Sequence, residues 1–213
     1  MRTAIHVVVA LLAGGEAAAM PVEELFLGET SELQDPAELQ MSAGMLARTD
    51  ELVTPVALEL GVLEHLQLSV EVPLSWTAGS VRSDLGAQVD VGIRLHRATA
   101  RAGAGIVWDD RMERAWRSSV ALGWSSDHLA LYSSAELEGG ELAGALGISL
   151  ALARISPVVE VAFDRDRTVF GIGGVWRVGD DLQLGLAAGV GTDRRSVLML
   201  QLVGEIDFGR KDD

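Results

Sequence analysis

Residues 54–76 read TPVALELGVLEHLQLSVEVPLSW, and the pattern in this stretch decides the fold. Val56, Leu58, Leu60 and Val62 share one parity, with Ala57, Glu59 and Gly61 on the other. After Leu63, Glu64 and His65 the alternation resumes, with Leu66, Leu68, Val70, Val72, Leu74 and Trp76 set against Gln67, Ser69, Glu71, Pro73 and Ser75. Strand side chains alternate with period two, so each run is a strand with one apolar and one polar face. The short hinge makes the two runs an antiparallel hairpin. A soluble sandwich alternates in the same way, and the rest of the chain has to choose between the two architectures.

The same period extends in both directions. Before the hairpin it covers 38–47. After it, the segments are 85–96, 100–108, 116–125, 128–138, 141–152, 155–164, 168–178, 181–191 and 196–208, giving about twelve strands. Helical periodicity is absent over any useful length, and no Pro-rich or Ser-rich linker divides the chain. Gly139-Gly140 suits a tight hairpin turn that needs positive φ. Residues 48–53, 77–84 and 109–115 read as the longer connections, all of odd rank, while those of even rank are two or three residues.

Three features favour a membrane barrel. The segments span about 9 to 13 residues, the length a tilted strand needs to cross a bilayer, whereas soluble strands average nearer 5 or 6. Long odd connections and short even ones match an outer-membrane barrel whose chain starts on the periplasmic side. The aromatics fall at two levels on the apolar face: Trp76, Trp108, Trp116, Phe163 and Phe170 at outer strand ends, and Trp124, Trp176 and Phe208 at inner ends. A soluble core would hold its aromatics mid-strand, so this arrangement reads as an interfacial girdle. Backbone groups cannot be left unpaired in hydrocarbon, so spanning strands must close. The expected class is all-β, a transmembrane antiparallel up-and-down barrel.

Composition agrees with this class. The 213 residues include no Cys, 24 Gly and a formal net charge of −14. No disulfide framework or thiolate metal site is available, and an acidic chain without Lys/Arg clusters disfavours nucleic acid. Residues 1–19 read as a secretory signal, with Arg2, an apolar run from Ile5 to Ala13 and Ala17-Ala18-Ala19 at the cleavage site. Residues 20–37 form an acidic leader with Pro21 and Pro36, 38–208 the barrel, and 209–213 a polar tail.

Glu29 and Thr30, the step from Pro36 through Glu38, Leu39 and Gln40, and above all 61–73 (GVLEHLQLSVEVP) resemble the N-terminal third of small Gram-negative outer-membrane β-barrel proteins. These are the transporter-like group with relatives named for the phenol-degradation meta-pathway. The resemblance implies an outer-membrane channel or solute-uptake barrel and assigns no ligand residues. It also implies assembly by the barrel-assembly machinery, which often reads a terminal aromatic. Here Phe208 is followed by Gly209, Arg210, Lys211, Asp212 and Asp213.

The polar face is expected to line the interior with Glu59, Glu71, Asp90, Arg94, Glu136, Glu160, Arg177, Gln183, Glu205 and Asp207. Acid outnumbers base in that set, and rings of carboxylates favour cations in a pore. Inward glycines, Gly61, Gly92 and Gly103 among them, are expected to leave room for water or a small solute. Two alternatives are a salt-bridged, non-conducting barrel and a lipid-modifying enzyme with a Ser-His pair. His65, His96 and His128 fall at inner connections, away from the rim where outer-leaflet lipid is reached, and no carboxylate spacing makes them a metal site. No cofactor is indicated. The leader is itself acidic, and like-charge repulsion in an acidic lumen argues against its acting as a plug.

Overall fold

The computed structural model describes residues 33–150, 152, 155–178 and 181–208. The expected signal, most of the leader and the tail lie outside these residues. The strands are β1 (Glu38–Ala47), β2 (Glu51–Thr54), β3 (Val56–Leu63), β4 (Leu66–Glu71), β5 (Leu74–Thr77), β6 (Ser80–Ser83), β7 (Leu85–Leu95) and β8 (Ala98–Trp108), followed by β9 (Arg114–Ser125), β10 (Leu129–Glu138), β11 (Glu141–Leu150), β12 (Ile155–Phe163), β13 (Thr168–Arg177), β14 (Leu182–Gly191) and β15 (Ser196–Asp207). Twelve of them, β1, β3, β4 and β7 to β15, form a ring in chain order. β15 closes it by pairing antiparallel with β1, from Glu38 opposite Asp207 to Ala47 opposite Leu198. The expected closed barrel of about twelve strands is the observed one.

Two expected loops are largely strand. Residues 48–53 contain the start of β2, which continues β3 beyond Pro55 and pairs with β1 through Leu46 opposite Val53 and Ala47 opposite Leu52. Residues 77–84 contain the β6 half of a small hairpin, in which β5 continues β4 and β6 leads into β7. The reason lies in the prolines, which have no N–H to give to a ladder. Pairing lapses at Pro55 and Pro73 and resumes beyond them. Val56 and Val72 exchange both backbone hydrogen bonds between the two breaks, at 3.3 and 2.8 Å. The Pro55 carbonyl accepts from Gly44 N–H at 2.8 Å, and the Pro73 carbonyl from Asp84 N–H at 3.2 Å. The result is a polar three-strand flap, β2-β5-β6, standing on the outer rim.

The hinge of the opening hairpin is two residues, Glu64 and His65, between the paired Leu63 and Leu66, with a bulge between Gly61 and Leu63. Gly139 and Gly140 adopt φ of 58° and 91°, as their turn requires.

Alternation sorts the side chains between the two faces. Leu58, Leu60, Leu68, Val70, Val89, Val91, Ile93, Val120, Leu122, Leu146, Val159, Ile172, Leu186 and Leu200 are all exposed on the outer surface. Continuous apolar surface on this scale is far beyond the few hundred Å² a soluble monomer tolerates. A lipid environment removes that penalty, and closure satisfies the backbone. Most of the buried apolar residues lie inside the ring in two small clusters, one of Ala130, Tyr132, Val158 and Val175 and one of Val169, Ala187, Val197 and Met199 with Leu46 against it.

Val91 stands outward near the middle of β7. Val91→Arg should destabilise the barrel by about 2–4 kcal/mol, and Leu85→Arg at the outer end of the same strand by about 1 kcal/mol or less. Guanidinium unfolding in lipid vesicles measures both, and equal costs at the two depths would contradict a membrane-embedded outer face.

Candidate functional site: the barrel lumen

The inward faces divide by strand. From β3 to β9 they carry Glu59, Gln67, Ser69, Glu71, Gln88, Asp90, Arg101, Arg117 and Ser119; from β10 to β15 they are mostly Ala, Gly and Val, with Tyr132, Glu160, Gln183, Met199 and Gln201 among them. One wall of the lumen is polar and the opposite wall is largely apolar.

At the outer level, Arg117 of β9 gathers three carboxylates. Its guanidinium meets Glu71 Oε2 at 2.7 Å, Glu138 Oε2 at 2.7 Å and Glu136 Oε1 at 3.5 Å. Beside this cluster opens a cavity of about 270 Å³, lined by Arg48, Ser119, Ser134, Glu136, Asp164 and Arg167 together with Leu46 and Val169. Arg48 is held by Glu51 at 2.8 Å, whereas the Arg167 guanidinium has no carboxylate partner among the described residues. On the rim above, burial lifts the Asp84 carboxyl above its ordinary range, and the Glu138, Asp109 and Asp110 carboxylates push the same way.

The middle level is packed. Asp90, 1 % exposed, accepts from Gln88 Nε2 at 2.7 Å and Ser69 Oγ at 3.3 Å and lies 3.9 Å from Arg101 Nε. Gln88 Nε2 also donates to Ser119 Oγ at 3.0 Å. These side chains lie over Gly103, where an added Cβ would come within 2.6 Å of Ser119 Oγ and collide with Asp90 and Gln88. The space left by this glycine is thus taken by its neighbours' polar groups, not left for water as expected. Glu160 is 2 % exposed, flanked on the adjoining strands by Gly147 and Gly171.

At the inner end the chain enters the lumen. Gln34 N–H donates to Gln67 Oε1 at 2.9 Å, and Gln34 Nε2 to Gln40 Oε1 at 2.6 Å. Leu33 lies against Gly92. The expectation that the leader stays out of the lumen therefore fails for 33–35. Repulsion does not prevent the contact because uncharged groups make it, while Asp35 sits on the exposed turn.

Glu59, Glu71, Asp90, Glu136, Glu160, Arg177, Gln183 and Glu205 lie on the inward parity and are buried or half-buried. Asp207 is exposed at the inner end of β15. Arg94 shares the inward parity but is exposed near the inner end of β7, so it stands at the mouth and not within the packed lumen. Arg101 and Arg117 were missed by the sequence reading, although counting by two from Gly103 and Gly123 finds them. With them included, carboxylates and guanidiniums meet as pairs instead of forming an acidic ring. Trp116, Trp124, Phe163, Phe170, Trp176 and Phe208 are exposed on the outer face, with Trp116 at 74 %, and Trp76 and Trp108 are half-buried. His65, His96 and His128 are exposed on three separate inner turns, and no group of acids and imidazoles among the described residues is arranged to hold a metal ion.

No family model and no curated relative matches this chain. Solved structures do. A KdgM porin in complex with disordered oligogalacturonate is similar at a TM-score of 0.66 and 10 % identity, over 78 % of this chain and 98 % of that one. The NanC porin is similar at 0.61 and 10 %, over 79 % and 100 %. The Acinetobacter baumannii outer membrane protein Omp33 is similar at 0.52 and 8 %, over 80 % and 98 %. The fold is therefore the closed, all-β barrel that outer-membrane porins use.

Arg117→Met leaves Glu71, Glu136 and Glu138 facing one another. It should cost about 2–3 kcal/mol, less than a fully buried pair because the glutamates are partly exposed. Adding Glu71→Gln and Glu136→Gln should recover most of that loss in the same unfolding measurement; no recovery would mean that Arg117 acts by packing alone.

Proposed function

We propose that the protein is an outer-membrane channel that passes small uncharged or cationic solutes, with its aromatic residues anchoring it at the two bilayer interfaces. The observation that carries this reading is a closed barrel with a lipid-compatible outer face and a cavity of about 270 Å³ open at the outer mouth. The likeness of 61–73 to transporter-like barrels of the phenol-degradation type supports uptake of a small solute. So does the divided lumen, since one polar and one apolar wall suit a small molecule with both kinds of surface.

The KdgM structure holds an oligogalacturonate, a chain of acidic sugars. That cargo suits this lumen poorly. Arg117 is engaged by three carboxylates and Arg101 lies beside Asp90, which leaves Arg167 as the one guanidinium lining the cavity without a carboxylate partner among the described residues, too few for a polyanion. The acids of the outer rim, Asp84, Asp109 and Asp110, favour cations. A lipid-modifying enzyme is not supported by three histidines set on separate inner turns.

Reconstitution in a planar bilayer under a salt gradient tests this reading. The expected result is conductance steps with a cation-selective reversal potential, reduced by Asp84→Asn with Asp110→Asn at the outer rim. Because Asp84 takes up its proton at higher pH than a free carboxyl, the preference should begin to fall early as the pH is lowered from neutrality. Silence from inserted barrels, persisting once the N-terminal segment at the inner mouth has been displaced, would exclude a channel and favour a structural role.

A further inference from the structure

We infer that residues 33–36 are a strap that closes the periplasmic mouth of the barrel and must leave it for solute to pass; this rests on the channel reading above. The strap turns back on itself before β1. Glu38 N–H donates to the Asp35 carbonyl at 3.0 Å, and Asp35 N–H donates to Glu38 Oε2 at 2.8 Å. Ala37 adopts φ of 66°, a conformation L-residues rarely take outside such turns. Pro36 supplies the fixed φ preceding it. The reversal is pinned to the barrel by Ala37 N–H on the Gly61 carbonyl at 2.8 Å and by Phe208 N–H on the Ala37 carbonyl at 3.0 Å. The chain before the turn is thereby directed into the lumen and not away from it.

Two glycines make the seat. At Gly61 the three atoms nearest an added Cβ all belong to the strap: the Asp35 carbonyl oxygen, the Gln34 carbonyl oxygen at 2.6 Å and the Asp35 carbonyl carbon at 2.8 Å. At Gly92 on β7, two strands from β3 in the ring, the nearest atom is Leu33 Cδ1 at 2.7 Å, with Leu33 Cγ at 3.0 Å. Gln34 takes up the side-chain oxygens of Gln67 on β4, between these positions, and of Gln40 on the neighbouring β1, which are 0 % and 1 % exposed. Glutamines on inward faces would be solvated in an open pore, and here they are sealed.

The closure is also built to release. Gln67 Nε2 has no hydrogen-bond partner among the described residues. A buried donor left unpaired offsets part of what the other contacts contribute. Leu33 and Gln34 supply the contacts inside the lumen, so displacing the strap disturbs no barrel ladder.

The chain has no cysteine, so a disulfide can be introduced without competing thiols. In full-length L33C/G92C the Sγ at 33 would take the place of Leu33 Cγ, 3.0 Å from the Cβ at 92, which is within reach of a disulfide. The bond should form spontaneously in the folded barrel, abolish conductance when oxidised and restore it on reduction. Gly61→Ala presses on the strap alone and should lower the closed-to-open ratio roughly tenfold, the change that a shift of about 1.4 kcal/mol produces. Failure of the disulfide to form, or equal conductance in its oxidised and reduced states, overturns the strap. Wild-type conductance equal to that of Gly61→Ala overturns the gate while leaving the channel intact. Silence of Gly61→Ala and of reduced L33C/G92C, in barrels shown to be inserted, overturns the channel and the gate with it.

Discussion

Everything in this molecule depends on pairing every backbone N–H and C=O without help from solvent. In hydrocarbon an unpaired group costs several kcal/mol, and the ladder between β15 and β1 leaves no edge in the ring. That constraint explains where the prolines stand. Pro55 and Pro73 sit where the barrel gives way to the rim flap. Pro157 sits where the β11–β12 ladder stops, at Ser149 opposite Val158. Each missing N–H falls at a point where a ladder already ends.

The period-two pattern made most of this legible. The 38–47 strand, the turn at Gly139-Gly140 and the closed ring follow from alternation, because alternation is set by which face meets lipid. The breaks at Pro55 and Pro73 were harder to read: a strand that pauses for one or two residues and resumes looks like a strand followed by a loop. Inward parity also identified most of the lumen residues. It does not say how far along the strand the enclosed region extends, which is why Arg94 was placed in the lumen and stands at the mouth. The strap had no signal at all. A positive φ at position 37 is expected of Gly, and Ala there gives no hint of the reversal.

Lumen chemistry follows from the split between the two walls. On the polar wall a charge is removed from water on most sides, and an isolated one would be strongly unfavourable. Arg117 answers this by sharing one guanidinium among three glutamates, and Asp90 by collecting Gln88, Ser69 and Arg101. Lysine would not substitute well at 117. Its point-like ammonium lacks the planar fork that reaches several carboxylates in fixed directions.

The same pairing limits what the lumen can select. A carboxylate bound to a guanidinium presents little field to a passing ion, so residue counts overstate the acidity a solute meets. What it meets first is the rim, where burial lifts the Asp84 carboxyl above its ordinary range and the neighbouring Glu138, Asp109 and Asp110 carboxylates push the same way. Selection by charge therefore belongs to the outer mouth. The middle of the barrel, packed with the Asp90–Arg101 pair and its amide and hydroxyl partners on one wall and Val, Ala and Tyr132 on the other, selects by size and polarity. The inner mouth carries the strap, whose contacts with the lumen are amide hydrogen bonds and a leucine and so do not depend on the charge of the solute.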